Sequence, residues 1–323
     1  MRVLLTGGSG FIGSHLAERL LGRGDEVVSI DNLSTGKLRN IKHLMNDSSF
    51  THFTADLLSK EGRELLELET EKADLIFHLA AAVGVFNVVK FPAETIKNNI
   101  EITEHLLRIA RKRMTKIVIF STSEVYGKSS KFPFNEDDDI VLGPSKNARW
   151  SYAASKLVDE FLGLAFHNQH GLPVIIVRLF NTVGPRQVGH YGMVIPRFVE
   201  QAMSNKPITV FGNGEQSRCF CNVKDTIEAL IGLTENEECV GEVFNIGSSE
   251  EISIVELANR IKEITNSSSE ITFVPYEEAY SDGFEDMMRR VPDTQKVHHF
   301  TSWKSTISLN ETVKAVWDHL SKN

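Results

Sequence analysis

Up to about residue 180 the chain alternates short apolar runs with longer amphipathic ones, the pattern of a parallel sheet covered by helices on both faces. Residues 3–6, 27–31, 50–54, 75–78, 117–121 and 174–179 are rich in Val, Ile, Leu and Phe and bounded by Gly, Asp, Ser or Pro, so each is expected to be a strand. Residues 93–113 carry Ile96, Ile100, Thr103, Leu107 and Ala110 at helical spacing. Residues 152–170 are apolar around most of a helix's circumference and need burial on two sides, either between sheet and loops or between the sheet and a second copy of the chain. Beyond residue 179 glycines and prolines punctuate the sequence (Gly184, Pro185, Gly189, Gly192, Pro196, Pro207) before another strand expected at 243–246 and further helices. The expected fold is a doubly wound α/β domain over 1–180, completed by about 219–248, with a smaller α/β domain from 181–218 and 249–323. Residues 130–149, with Pro133, Glu136, Asp137, Asp138, Asp139, Gly143 and Pro144, read as an exposed loop.

Composition adds exclusions. The 323 residues are 41% apolar and 24% charged, enough for a sizeable core. A net charge of −8, spread along the chain, disfavours nucleic acid or an anionic membrane as the main partner. Cys219, Cys221 and Cys239 are too few for a disulfide framework and lack the spacing of a zinc site, so they are expected to be reduced thiols of a cytoplasmic protein, with no metal. Met1 and Arg2 run directly into the first strand and no apolar run reaches membrane-spanning length, so neither a signal peptide nor a membrane span is expected.

The first chemical signal is Thr6-Gly7-Gly8-Ser9-Gly10-Phe11-Ile12-Gly13, which leaves the first strand and opens the first helix. Gly7, Gly10 and Gly13 allow a tight turn and close approach of a pyrophosphate to free amides at a helix N-terminus, with Phe11 and Ile12 completing the turn. Asp31, 18 residues after Gly13 and followed by Asn32, ends the second strand where a carboxylate would bond ribose hydroxyls and repel a 2′-phosphate. NAD is therefore favoured over NADP, although Lys37 and Arg39 lie nearby. Asp56 and Leu57 after the third strand could flank the adenine, and Leu79, Ala80 and Ala81 after the fourth are small enough for a cofactor to approach. Taken singly, each is ordinary loop chemistry. Asn99, a poor helix former inside a helical pattern, is a candidate for a polar role near the cofactor.

The second signal is Tyr152 and Lys156, four residues apart and so on one helix face. Such a pair is often mere surface. Beside a nucleotide site, however, a cation near a phenol would lower its pKa and make a base able to take a hydroxyl proton during hydride transfer. Thr122 and Ser123 end the fifth strand, where the carboxyl edge of such a sheet carries its ligands, and a hydroxyl there can share the substrate proton.

With these residues in this order, the sequence resembles the extended short-chain dehydrogenase/reductase family of NAD-dependent nucleotide-sugar epimerases, dehydratases and decarboxylases, which have a Rossmann domain and a smaller substrate-binding domain. The resemblance covers nearly the whole chain. It runs through the Gly7/Gly10/Gly13 turn, Asp31-Asn32, Ser121-Thr122-Ser123-Glu124-Val125-Tyr126-Gly127, Arg149-Trp150-Ser151-Tyr152, the stretch from Arg178 to Arg186, the stretch from Phe211 to Arg218, and Arg290-Val291-Pro292-Asp293. It implies a bound NAD that oxidises a sugar at C4 and later returns the hydride, Lys156 on the cofactor ribose and tuning Tyr152, and usually a homodimer joined through helices 93–113 and 152–170. For a UDP-sugar, it implies contacts of Ser123 with the substrate, of Asn181 and Arg218 with the diphosphate, of Phe211 with the base, and of Arg186 near the sugar.

Within the family, 4,6-dehydratases carry Thr-Asp-Glu where this chain has Thr122-Ser123-Glu124, and 4-epimerases usually have small residues in place of the glutamate. UDP-glucuronic acid decarboxylases show Thr-Ser-Glu followed by Val-Tyr-Gly, as here. The segment from Gly283 to Pro292 resembles the one whose Arg meets the sugar carboxylate, which favours Arg290 over a solvated Arg289/Arg290 pair. The implied reaction is decarboxylation of UDP-glucuronic acid to UDP-xylose through a 4-ketone, with Thr122, Glu124, Tyr152, Lys156 and Arg290 at the reacting centre. A UDP-sugar 4-epimerase needs only Thr122, Tyr152 and Lys156 and is the alternative; a cofactor-sensing protein would have no use for that set.

Overall fold

The computed structural model describes residues 1–81, 90–189, 193–275 and 287–322. Gly192 and the stretch 283–286 of the Arg-bearing segment lie outside them. Strands β1 (Arg2–Thr6), β2 (Glu26–Asp31), β3 (Phe50–Thr54), β4 (Leu75–His78), β5 (Lys116–Thr122), β6 (Val174–Leu179) and β7 (Val243–Ile246) form one parallel sheet in the order β7-β6-β5-β4-β1-β2-β3. Every expected strand is present, within a residue or so of its expected ends.

The apolar runs are continuous because both faces are covered. Val3, Leu5, Val27, Phe77, Val118, Ile175, Val177 and Phe244 face one core with Leu16, Leu20, Ile227 and Leu230 from helices α1 (Phe11–Gly22) and, later in the chain, Val223–Glu235. Leu4, Val28, Ile30, Ile76, Ile117, Ile119 and Ile176 face the other, with Leu66 of α2 (Lys60–Thr70), Leu106, Leu107 and Ala110 of α3 (Pro92–Ala110), and Leu162 of α4 (Arg149–His170). Helix α4 begins one turn before the expected residue 152, and α3 ends at Ala110, before 113. The chain winds outward from β1 to β3 and, by way of β4, to β7, so a crevice opens at the carboxyl ends of β1 and β4.

A further core gathers Ile195, Phe198, Val199, Ile208, Ile252, Leu257, Ile261, Leu309, Val313 and Val316. Val297, Phe300 and Trp303 instead join the sheet's core, although they follow residue 249 in the chain.

The loop 130–149 departs from its expected exposure. Phe134, Glu136 and Arg149 are buried, and Phe134 stacks on Tyr126 at 4.6 Å. The Phe134 amide donates to Val291 O (2.8 Å) and the Asp293 amide to Phe134 O (2.8 Å). Composition marks the loop as polar, but these pairings draw its middle beneath the segment that carries Arg290.

Candidate active site

The turn after β1 is built for close approach. Gly7 has φ +78°, and a Cβ there would lie 2.9 Å from Ala80 N; a Cβ on Gly13 would lie 2.3 Å from Gly7 O. Helix α1 has Gly10 as its N-cap, with no side-chain cap and no acid in its first turn, leaving amide hydrogens and positive dipole for an anion. Ser9 Oγ is buried there with no hydrogen-bond partner among the described residues. Asp31 is buried and accepts the Ser9 amide (3.0 Å) and the Leu33 amide (2.7 Å), so its carboxylate is oriented by backbone while lone pairs remain for hydroxyls. This cradle fits a dinucleotide.

Of the flanking candidates, Asn32 is exposed and accepts the Ser34 amide, and Asp56 accepts the Leu58 amide. Leu57 is buried in the sheet core, while Phe11, Ile12, Leu79, Ala80 and Ala81 are half-buried. Asn99 is buried in α3 and donates to Ser155 Oγ of α4 (3.0 Å), joining the two helices.

At the end of β5, Thr122 Oγ1 accepts the Glu124 amide (3.2 Å) and caps the short turn Ser123–Tyr126. Ser123 is buried, its hydroxyl unpartnered among the described residues. Glu124 stands between two guanidiniums: Oε2 is 2.5 Å from Arg149 Nη1 and Oε1 is 3.8 Å from Arg290 Nη1. Arg290 also donates to Asn181 Oδ1 (3.4 Å), and Asn181, at φ +34°, donates to Cys219 O. The strand Ser217–Cys219 lies between Glu251–Ser253 and Arg289–Arg290, with Arg218 and Arg290 directly in register. Both are buried, whereas Arg289 turns out to a bidentate contact with Glu251 (2.7 and 2.8 Å).

The expected lowering of the Tyr152 pKa is absent. Burial pushes the phenol well above its ordinary value, the carboxylates of Glu124 and Asp159 push the same way, and Arg149 offsets only part. Lys156, four residues on, has its ammonium 2.7 Å from Asp159 Oδ2, both side chains buried.

Arg186, expected near the sugar, is engaged by the first helix. At φ +72° it donates to Ser14 (3.2 Å) and Glu18 (2.5 Å) of α1, so it braces the first helix. Phe211 ends the strand Ile208–Phe211 with the Arg197 guanidinium 4.2 Å from its ring centre. The structure thus brings Thr122, Ser123, Glu124, Asn181, Arg218 and Arg290 to one edge, together with Arg149, which sequence reasoning did not assign; Asp159, likewise unassigned, meets Lys156 further along α4. Arg149 was visible only as the head of the run Arg149-Trp150-Ser151-Tyr152, with no role attached, and Asp159 only by its position one helical turn after Lys156. Among the described residues no group of His, Cys, Asp and Glu could hold a metal, and no helix is long and apolar enough to cross a membrane.

The GDP-mannose 4,6 dehydratase family model matches residues 4–316. The chain belongs to that family. As a member it is an extended short-chain dehydrogenase/reductase. It is 41% identical over 314 residues to UDP-N-acetyl-alpha-D-glucosaminuronate decarboxylase of Bacillus cytotoxicus, covering 97% of this chain and 95% of that relative. It is 37% identical over 311 residues to UDP-glucuronic acid decarboxylase 1 of Arabidopsis thaliana, covering 96% of this chain and 68% of the relative. Among solved structures, UDP-glucuronic acid 4-epimerase of Bacillus cereus, in complex with UDP-glucuronic acid and NAD, superposes with a TM-score of 0.89 at 30% identity over 100% of this chain and 99% of that one.

Proposed function

We propose that this chain is an NAD-dependent carboxy-lyase that converts UDP-glucuronic acid, through its 4-ketone, to UDP-xylose. Relatives named as decarboxylases of UDP-hexuronates support the reaction class. The observation that carries it here is the in-register burial of Arg218 and Arg290 beside Glu124 at the edge holding Thr122, since paired guanidiniums suit a ligand bearing both a diphosphate and a carboxylate.

NAD, when bound over the Gly7–Gly13 turn with its ribose at Asp31, supplies the acceptor and later donor of the C4 hydride. The chain's own residues do the rest. Tyr152 takes the proton of the 4-hydroxyl, and Lys156 offsets the charge that develops on the phenol. Thr122 accepts the Glu124 amide, which leaves its hydroxyl hydrogen for the sugar oxygen. A ketone at C4 makes the carboxyl on C5 that of a β-keto acid. The C5–carboxyl bond breaks, its electrons pass to the C4 oxygen as an enolate, carbon dioxide leaves, C5 takes a proton from solvent, and Tyr152 returns its proton to the C4 oxygen as the ketone is reduced. Glu124, between Arg149 and Arg290, orients the Arg290 guanidinium for the departing carboxylate.

We place the dinucleotide in the unit 1–180 with about 219–248, and the UDP-sugar against 181–218 and 249–323. Ile96, Val158 and Phe161 are exposed on α3 and α4, which supports a homodimer joined there; light scattering showing a single-chain mass at micromolar concentration would refute it. We assign the enzyme to the cytoplasm.

The likeness to a UDP-glucuronic acid 4-epimerase favours a second reading, in which the ketone turns over and is reduced on its other face. Proton NMR of the protein with NAD and, separately, UDP-glucuronic acid, its 2-acetamido analogue and UDP-glucose decides between them. Loss of the carboxyl with formation of a UDP-pentose is expected for at least the first; UDP-galacturonic acid without carbon loss would overturn the decarboxylase.

A further inference from the structure

The described contact of the Lys156 ammonium is with Asp159 of its own helix, at 2.7 Å, with side-chain exposures of 2% and 0%. A buried ammonium requires an anion beside it, and a carboxylate this close lends the lysine the charge balance that solvent would otherwise supply. Asp159 is also one of two carboxylates acting on the Tyr152 phenol.

We propose that Asp159 is a positioning residue that anchors the Lys156 ammonium and sets the pH at which the Tyr152 phenol gives up its proton. The proposal rests on the assignment of Tyr152 as the base. Its surroundings are few and named. From α4, the phenol faces Arg149 and Asp159; from the turn after β5 it faces Glu124. From β4, His78 lies beside Lys156, and burial together with that cation holds the imidazole neutral. From α3 come the uncharged Thr103 hydroxyl beside Asp159 and Asn99 on Ser155. From β6 the Arg178 guanidinium is taken up by Glu160. Behind Asp159, Thr103 Oγ1 pairs with His78 Nε2 (3.1 Å) and His78 Nδ1 with Thr6 Oγ1 (2.8 Å), which also accepts the Ala80 amide. A chain of hydrogen-bonded side chains thus runs from the neighbour of this carboxylate, Thr103, to the end of β1.

Removing an anion beside an acid lowers the pH at which its proton leaves. In Asp159→Asn the rising limb of the kcat–pH profile is therefore expected about one pH unit lower than in the unaltered enzyme. Asp159→Glu, which keeps the charge, is expected to restore the original limb. An unshifted limb in a folded Asp159→Asn variant, with only kcat or stability reduced, would reduce Asp159 to a structural part and overturn the proposal. Should the asparagine variant fail to fold, nitrogen NMR of lysine side chains in the unaltered protein decides: the Lys156 ammonium signal is expected to persist at neutral pH, and a neutral amine there would refute the anchoring. That readout needs no substrate, so it stands apart from failure of the decarboxylase assignment.

Discussion

Arg178 of β6 and Glu160 of α4 meet in the floor beneath the site, with side chains 6% and 3% exposed. Arg178 Nε and Nη2 reach Glu160 at 2.8 to 3.2 Å, Nη1 donates to Tyr126 OH (2.9 Å) and Glu136 O (3.1 Å), and the Ser121 hydroxyl donates to Glu160. In Glu160→Leu the guanidinium stays charged at any working pH, so the loss is expected at about 3–5 kcal/mol. In Arg178→Met the orphaned carboxyl can escape by taking a proton. Protonating an ordinary carboxylate at pH 7 costs about 3–4 kcal/mol, which caps that part of the loss and makes it shrink by about 1.4 kcal/mol per pH unit on acidification. The double variant has no charge left at this pair and should lie within about 1–2 kcal/mol of the parent, the remainder being the Ser121 hydroxyl left without its acceptor and the Glu136 carbonyl and Tyr126 oxygen left without the Arg178 donor. Unfolding entropy for 323 residues is about 0.7 kcal/mol/K, so a 4 kcal/mol loss lowers Tm by about 6 °C. Thermal and urea unfolding at pH 7 and pH 5.5 would measure all three. A double variant as unstable as Glu160→Leu, or an Arg178→Met loss that ignores pH, would refute the reasoning.

Burial lowers the His78 pKa to about 3, with Lys156 adding to the effect. The unfolded chain takes up this proton below about pH 6.5 and the folded one does not until about pH 3, so stability should fall through that window by up to about 1.4 kcal/mol per unit. Urea titration from pH 7 to pH 5 should show about 2 kcal/mol more loss than in His78→Asn; equal losses would mean the ring is already charged in the fold. Burial pushes the thiols of Cys219 and Cys221 up to about 12 and that of Cys239 to about 11, so none should react with a thiol reagent at pH 8 until the protein unfolds, as mass spectrometry would show. Asp31→Ser should weaken NAD about ten-fold and narrow its advantage over NADP, measured by calorimetry; unchanged affinities would remove the ribose assignment.

Local signals were enough for much of this protein. Strands buried on both faces are continuous apolar runs, and the Gly7/Gly10/Gly13 turn with Asp31 is confined to 25 residues, so chain neighbours declare both. The Tyr152/Lys156 spacing likewise follows from one helical turn. What lay beyond reach depends on contacts between distant segments. The register of Arg218 with Arg290 comes from strand pairing that nothing in either segment announces. The approach of Arg149 to Glu124 depends on α4 starting a turn early, and the burial of Phe134 and Glu136 on pairing with residues 291–293 and 245. Asp159 stood one turn from a lysine in plain view, but a carboxylate at that spacing is ordinarily a solvated neighbour. Only the packing of α4 against the sheet and α3 removes the water and turns the pair into an electrostatic control on the phenol.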